Sequence, residues 1–207
     1  MKNKSYIIFL IINFFYSASF AEPFQFKSTD IKIEDQGNLI YASEGVAISD
    51  DKNIEIKAEN FEYNQKLNFL KAFNGTAFVK SDDLEIKFNE IEIDKENSNL
   101  IAKENVKIFN TKKEFTIETD LLNYNFKSRI LESETHSILE DQFKNVFDTQ
   151  YFNYNIDENI LKIKDSNFKD ASNNNFYIEL AYINTLSNNL YGKDVVINLD
   201  NKSFNKD

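Results

Sequence analysis

Apolar and polar residues alternate with a period of two along most of the chain: Ile31 and Ile33, Ile54 and Ile56, Leu84, Ile86 and Phe88, Ile91 and Ile93, Leu161 and Ile163, and Ile178 and Leu180. Successive side chains of a strand point to opposite faces, so this spacing predicts half-buried strands. Between the runs lie Asp35-Gln36-Gly37-Asn38, Ser49-Asp50-Asp51-Lys52-Asn53 and Asp94-Lys95-Glu96-Asn97-Ser98-Asn99. Such clusters of Asn, Asp and Ser are turn chemistry, and with Pro23 the one proline, the turns depend on them. Leu121 to Asn125 and Glu179 to Thr185 would also suit a helical turn, although their apolar residues fit a strand equally well.

The alternation recurs every 30 residues. Ile40, Leu70, Leu100, Ile130, Ile160 and Leu190 form one register that is apolar throughout, and Ile31, Phe61, Ile91, Leu121, Tyr151 and Ala181 form a second. A third, Phe26, Ile56, Ile86, Thr116, Val146 and Phe176, fails once. Within an early unit, the alternating strand Ile54 to Ala58 changes parity near Asn60 and continues as Phe61 and Tyr63. That change predicts a bulge or corner. Gly45 and Gly75, with Asn105 in register, mark positions that need a positive φ or a tight bend. One such unit cannot bury its apolar face alone, so neighbours must stack to form a continuous interior. The expected fold is all-β: an elongated, open, solenoid-like stack of six units of about 30 residues, with unpaired strand edges at its two ends.

Composition narrows the function. The chain has 207 residues, 20 Phe and 10 Tyr, no Cys and a formal charge of −10. The aromatic content argues against disorder. Absence of sulfur excludes disulfide scaffolds, thiolate metal sites and cysteine nucleophiles. The acidic balance argues against nucleic acid as a partner. Lys2 and Lys4, the apolar stretch Tyr6 to Phe15 and Ser19-Phe20-Ala21 read as an export signal cleaved after Ala21, too short to span a bilayer. The mature chain is then 22–207, with a charge of −12 once the two lysines are removed. Its charges, such as Glu55, Lys57, Glu85, Lys87, Glu90 and Glu92, fall between apolar positions and suit outward strand faces.

The segments Leu39-Ile40-Tyr41-Ala42-Ser43-Glu44-Gly45-Val46-Ala47-Ile48, Phe69-Leu70-Lys71-Ala72-Phe73-Asn74-Gly75-Thr76-Ala77-Phe78 and Leu100-Ile101-Ala102-Lys103-Glu104-Asn105-Val106-Lys107-Ile108 resemble the "A-x-G-N-V-x-I" strand pair of OstA-like domains. These domains build the periplasmic bridge (LptA) of lipopolysaccharide transport and the N-terminal periplasmic part of the outer-membrane assembly protein (LptD). The resemblance covers residues 26 to 110. It fades where Ala and Gly give way to Glu132 and Thr135, then to Lys162 and Asp165. The run Lys193 to Phe204 is similar to the stretch that leads from the LptD domain into its barrel, which makes that domain the nearest likeness. The resemblance implies a β-jellyroll or β-taco in the periplasm, or at the periplasmic face of the outer membrane, of a Gram-negative bacterium. It further implies an apolar groove that shields lipopolysaccharide acyl chains. Implied partners are lipopolysaccharide, other OstA-like proteins joined by strand-edge addition, and an outer-membrane barrel. Ile40, Leu70, Leu100, Ile130, Phe61, Ile91, Phe78 and Ile108 are the side chains placed inside, and as a set they would line the groove.

Catalytic chemistry finds no constellation, and no cofactor or metal is expected. His136 is the single histidine and is read as structural. The carboxylate pairs Asp82-Asp83 and Glu90 with Glu92 are expected by chance among 34 acidic residues. The alternative to a lipid-transport module is an exported structural or adhesive β-solenoid with a dry core.

Overall fold

The computed structural model describes residues 24–198 other than 52, 173 and 188, so the export signal and the end of the C-terminal run lie outside the described residues. Thirteen strands follow one another: β1 (Phe24–Glu34), β2 (Leu39–Ser49), β3 (Ile54–Asn64), β4 (Phe69–Val79), β5 (Leu84–Asp94), β6 (Asn99–Asn110), β7 (Phe115–Asn125), β8 (Ile130–Ser133), β9 (Ser137–Glu140), β10 (Val146–Asn155), β11 (Ile160–Lys169), β12 (Asn175–Asn184) and β13 (Asn189–Asn198). Each pairs antiparallel with the next in a single sheet, with β8 and β9 lying end to end between β7 and β10 as two halves of one interrupted strand. The two segments with a helical alternative are strands, in β7 and β12.

The sheet is folded over on itself. Ile33 pairs with Ile40 and Ile40 with Tyr63, so in a flat sheet Phe24 would lie nine residues along the strand from the level of Tyr63. At ~3.3 Å per residue that is roughly 30 Å. The Phe24 and Tyr63 rings are instead 5.8 Å apart, and Phe115 and Tyr154, similarly distant in the ladder, are 5.3 Å apart. Every strand is therefore bent at its middle, and its two arms face each other across a shared interior. Hairpin turns form two rims. The near rim carries turns 35–38, 65–68, 95–98, 126–129, 156–159 and 185–187, and the far rim carries 50–53, 80–83, 111–114, 141–145 and 170–174.

The bend is legible in local chemistry. Inward residues run Leu70, Ala72, then Ala77, Val79, with the parity change between them. Positive φ falls on Glu44 and Asn74 rather than on the glycines that follow, whereas Asn105 does adopt it. Gly45 and Gly75 serve close approach: a Cβ on Gly75 would overlap the Lys57 carbonyl oxygen, and one on Gly45 that of Lys27. Because the obstacle is backbone, Gly75→Ala is expected to destabilise the fold by about 2 kcal/mol through overpacking, read from urea denaturation. In later units small hydroxyl residues occupy the crease. Thr119, Ser133, Ser137, Thr149 and Ser166 are all buried, and the Thr149 hydroxyl donates to the carbonyls of Tyr151 and Lys164 that the bent ladder leaves available.

Near-rim turns are fixed by side-chain acceptors. Asn64, Asp94, Asn125, Asn155 and Asn184 each accept a backbone N–H two or three residues on. Their spacing of 30, 31, 30 and 29 residues exposes a slip in the repeat. An extra residue enters at the bend of β6, where Glu104 and Asn105 both have positive φ and the pairings to β5 and β7 shift. From there to turn 170–174, Leu122, Leu131, Phe152 and Leu161 occupy the buried positions assigned by 30-residue spacing to Leu121, Ile130, Tyr151 and Ile160. Ala181 and Ile183 in β12 are back in the original spacing.

Candidate functional site

Six of the eight side chains expected inside are there: Ile40, Phe61, Leu70, Ile91, Leu100 and Ile108 are all buried. Ile130 and Phe78 are corrections. Ile130 is only half-buried on the outer face because the β6 insertion turns Leu131 inward in its place. Phe78 lies outside under the Lys57 ammonium, 5.3 Å from its ring centroid, and the same insertion separates it from Ile108, which faces in. The six inward residues fill the interior between β2 and β6 together with Ala42, Ala72 and Ala102, which let the arms approach closely. Leu70, Ile91 and Leu100 have no exposed surface, so this half is closed and packed by the chain's own side chains.

Three contacts between the rims hold it closed. Lys95, on turn 95–98, pairs with Asp50 and Asp51 across the interior at 3.6 and 3.3 Å. Arg129, on turn 126–129, pairs with Asp82, whose carboxylate is 1% exposed and also accepts the Tyr124 hydroxyl. Lys113, on turn 111–114, donates to the Tyr154 hydroxyl at 3.0 Å, the Ile156 carbonyl at 3.2 Å and Asn159 Oδ1 at 2.5 Å. Each far-rim turn thus meets the near-rim turn about 45 residues later. The next pair, 141–145 with 185–187, has no such contact among the described residues.

The interior opens at this point. A cavity of about 270 Å³ lies beside Lys113, floored by Phe115, Ile117, Leu139, Phe147 and Leu161 and edged by Lys112, Glu140, Asp141, Thr185 and Leu186. A second hollow, of about 390 Å³, shares Phe147 and continues along Phe168, Ile183 and Leu190 toward the last strand. Stacked rings of Phe147, Phe168 and Phe176 pave this end, with centroids 4.7 and 5.2 Å apart. None of these floor residues belongs to the set expected from the sequence. The third register points at the right neighbourhood through Thr116 and Val146, and a spacing of 31 would have reached Ile117 and Phe147.

The remaining candidates resolve into structure. Asp82 is the buried partner of Arg129, and Glu90 and Glu92 form an outer-face network with Lys71 and Lys103. His136 is exposed and meets Asp148 at 2.8 Å. Among the described residues no cluster of three His, Asp or Glu side chains is arranged to hold a metal ion. Hydrogen bonding from Lys71, aided by Lys103, holds the Glu92 carboxyl below its ordinary value of 4.5 against the opposing effect of burial. At Asp51, burial pushes upward but is outweighed by hydrogen bonds from Ser49 and Asn53 and by Lys95, so it too lies low. A depressed carboxylate stabilises the fold above its unfolded pKa, and that contribution is lost as pH falls through the folded value. Thermal midpoints are expected to decline below about pH 4.5, with a smaller decline in Lys71→Met, measurable by circular dichroism.

No protein-family model matches the chain, and no curated protein does. Among solved structures it is similar to LptH, described as the LptA-homologous periplasmic component of the conserved lipopolysaccharide transport device from Pseudomonas aeruginosa. Identity is 10% and the TM-score 0.47, over 53% of this chain and 80% of that one. A likeness at that level carries no argument about function.

Proposed function

We propose that this protein is an exported lipopolysaccharide-transport module of the OstA-like kind, which shields acyl chains in the open end of its folded sheet and joins similar domains edge to edge at the periplasmic face of the outer membrane. The observation that carries the reading is the apolar, aromatic-floored opening beyond Lys113, in a fold whose other half is sealed. An interior left as a groove rather than filled suits an apolar ligand. The strand-pair motif over residues 26 to 110 supplies the class of ligand. Edge docking is supported by β1 and β13, each paired on one side only among the described residues, and by Ile31 and Ile33. Those two face inward from β1, yet are 47% and 62% exposed, because no arm lies opposite them. No helix among the described residues is long and apolar enough to cross a membrane.

The filled interior of β2 to β6 favours one other reading, a structural or adhesive solenoid that carries no lipid. Mass spectrometry of the protein purified from cell envelopes without detergent separates the two. The transport reading expects acyl lipid in the protein fraction, removed with organic solvent; lipid-free protein at full yield would leave the structural solenoid.

A further inference from the structure

On the reading of the opening as an acyl-chain site, we propose that the cavity beside Lys113 binds one acyl chain with an anionic head, the chain on Phe115, Leu139 and Leu161 and the head at Lys113 and Lys112, entering from the side. The argument starts from charge. In a chain of formal charge −10, Lys112 and Lys113 pair with no carboxylate among the described residues. Lys113 is half-buried at the cavity wall, and its ammonium is met only by neutral acceptors: a phenol, a carbonyl and an amide oxygen. The two acids on the same wall are already engaged. Glu140 is held by Lys144 at 2.8 Å, while Asp141 accepts the amides of Phe143 and Asn145 on one oxygen and the Asn145 side chain on the other. A cation at the mouth of an apolar hollow attracts an anion more strongly than it would in water.

Size sets the number of chains. A cavity of about 270 Å³ falls below the ~300–1,000 Å³ of pockets that enclose drug-sized ligands, which suits a single chain. Direction follows from the rim contacts. Toward β1 the passage is stopped by the Arg129–Asp82 contact and by the filled interior behind it, so the site is blind on that side. Between turns 111–114 and 141–145 the rims are unjoined, and that gap is the entrance.

Fluorescence titration with cis-parinarate tests this on the full chain, with dodecanoate, uncharged dodecanol and lipopolysaccharide as competitors. Wild type is expected to bind the probe, and Lys95→Met, at a distant rim contact, to bind it equally. Leu139→Trp fills the cavity and should abolish binding. Lys113→Met should weaken parinarate at least tenfold yet change displacement by dodecanol less than twofold, and Lys113→Arg should restore the affinity. Displacement by dodecanoate alone identifies a free fatty acid as the source, and displacement by lipopolysaccharide identifies the glycolipid. The proposal is overturned if Lys113→Met, folded by circular dichroism, binds as wild type does, or if it loses parinarate and dodecanol alike, the mark of a purely structural contact. A wild type that ignores the probe while its envelope-purified form retains acyl lipid removes this inference and leaves the transport reading standing. Failure of both removes both.

Discussion

Replacing Arg129 with Met is expected to destabilise the protein by about 3 kcal/mol, because it leaves the Asp82 carboxylate buried without its counter-charge. Asp82 is 1% exposed, so water cannot take the place of the guanidinium, and the remaining Tyr124 hydroxyl donates only one hydrogen bond. The paired variant Asp82→Asn with Arg129→Met should recover much of the loss, since the amide keeps a partner in Tyr124 and carries no charge. Urea denaturation of the two single variants and the double variant forms the cycle that measures this coupling. A loss below about 1 kcal/mol for Arg129→Met would place the contact with ordinary surface ion pairs and remove it as a seal on the groove.

The second large effect lies at two adjacent residues. Leu131→Ala is expected to cost about 3 kcal/mol, the usual penalty for emptying a buried leucine site, and Ile130→Ala about 1 kcal/mol or less. Leu131 has no exposed surface, while Ile130 sits half-buried outside it. Equal losses at the two positions would mean that the slip introduced by β6 is not present in the folded protein.

That slip explains what could be read from the chain and what could not. Period-2 alternation fixes strand identity because side-chain direction in a strand is purely local, and the corner at Asn60 is visible because parity changes there. Register across units is a different quantity. It accumulates every insertion, and one extra residue turns a whole arm inside out. Ile130-Leu131 and Ile160-Leu161 hide the error, since an aliphatic residue stands in either register. Phe78 and Ile108 reveal it, being 30 residues apart and on opposite faces. The cavity floor was out of reach for a related reason. Which arms oppose each other depends on the offset of about 45 residues between far and near rims, and that offset is set by how the sheet folds over. Lys113 and Arg129 look like ordinary turn lysine and arginine in the sequence. Their partners, Asn159 and Asp82, are 46 and 47 residues away.

The central claim is that the interior is sealed toward β1 and open to lipid toward β13. Photo-crosslinking with p-benzoylphenylalanine tests it most directly, because phenylalanines already occupy each environment and the substitution preserves their shape. Positions 115 and 147 sample the open end, 61 and 88 the sealed half, and 78 the outer face. In cells exporting the full chain, lipopolysaccharide is expected to crosslink at Phe115 and Phe147 and at none of the other three. Adducts at Phe61 and Phe88 equal to those at Phe115 would contradict the seal, and adducts at Phe78 alone would contradict an interior site altogether.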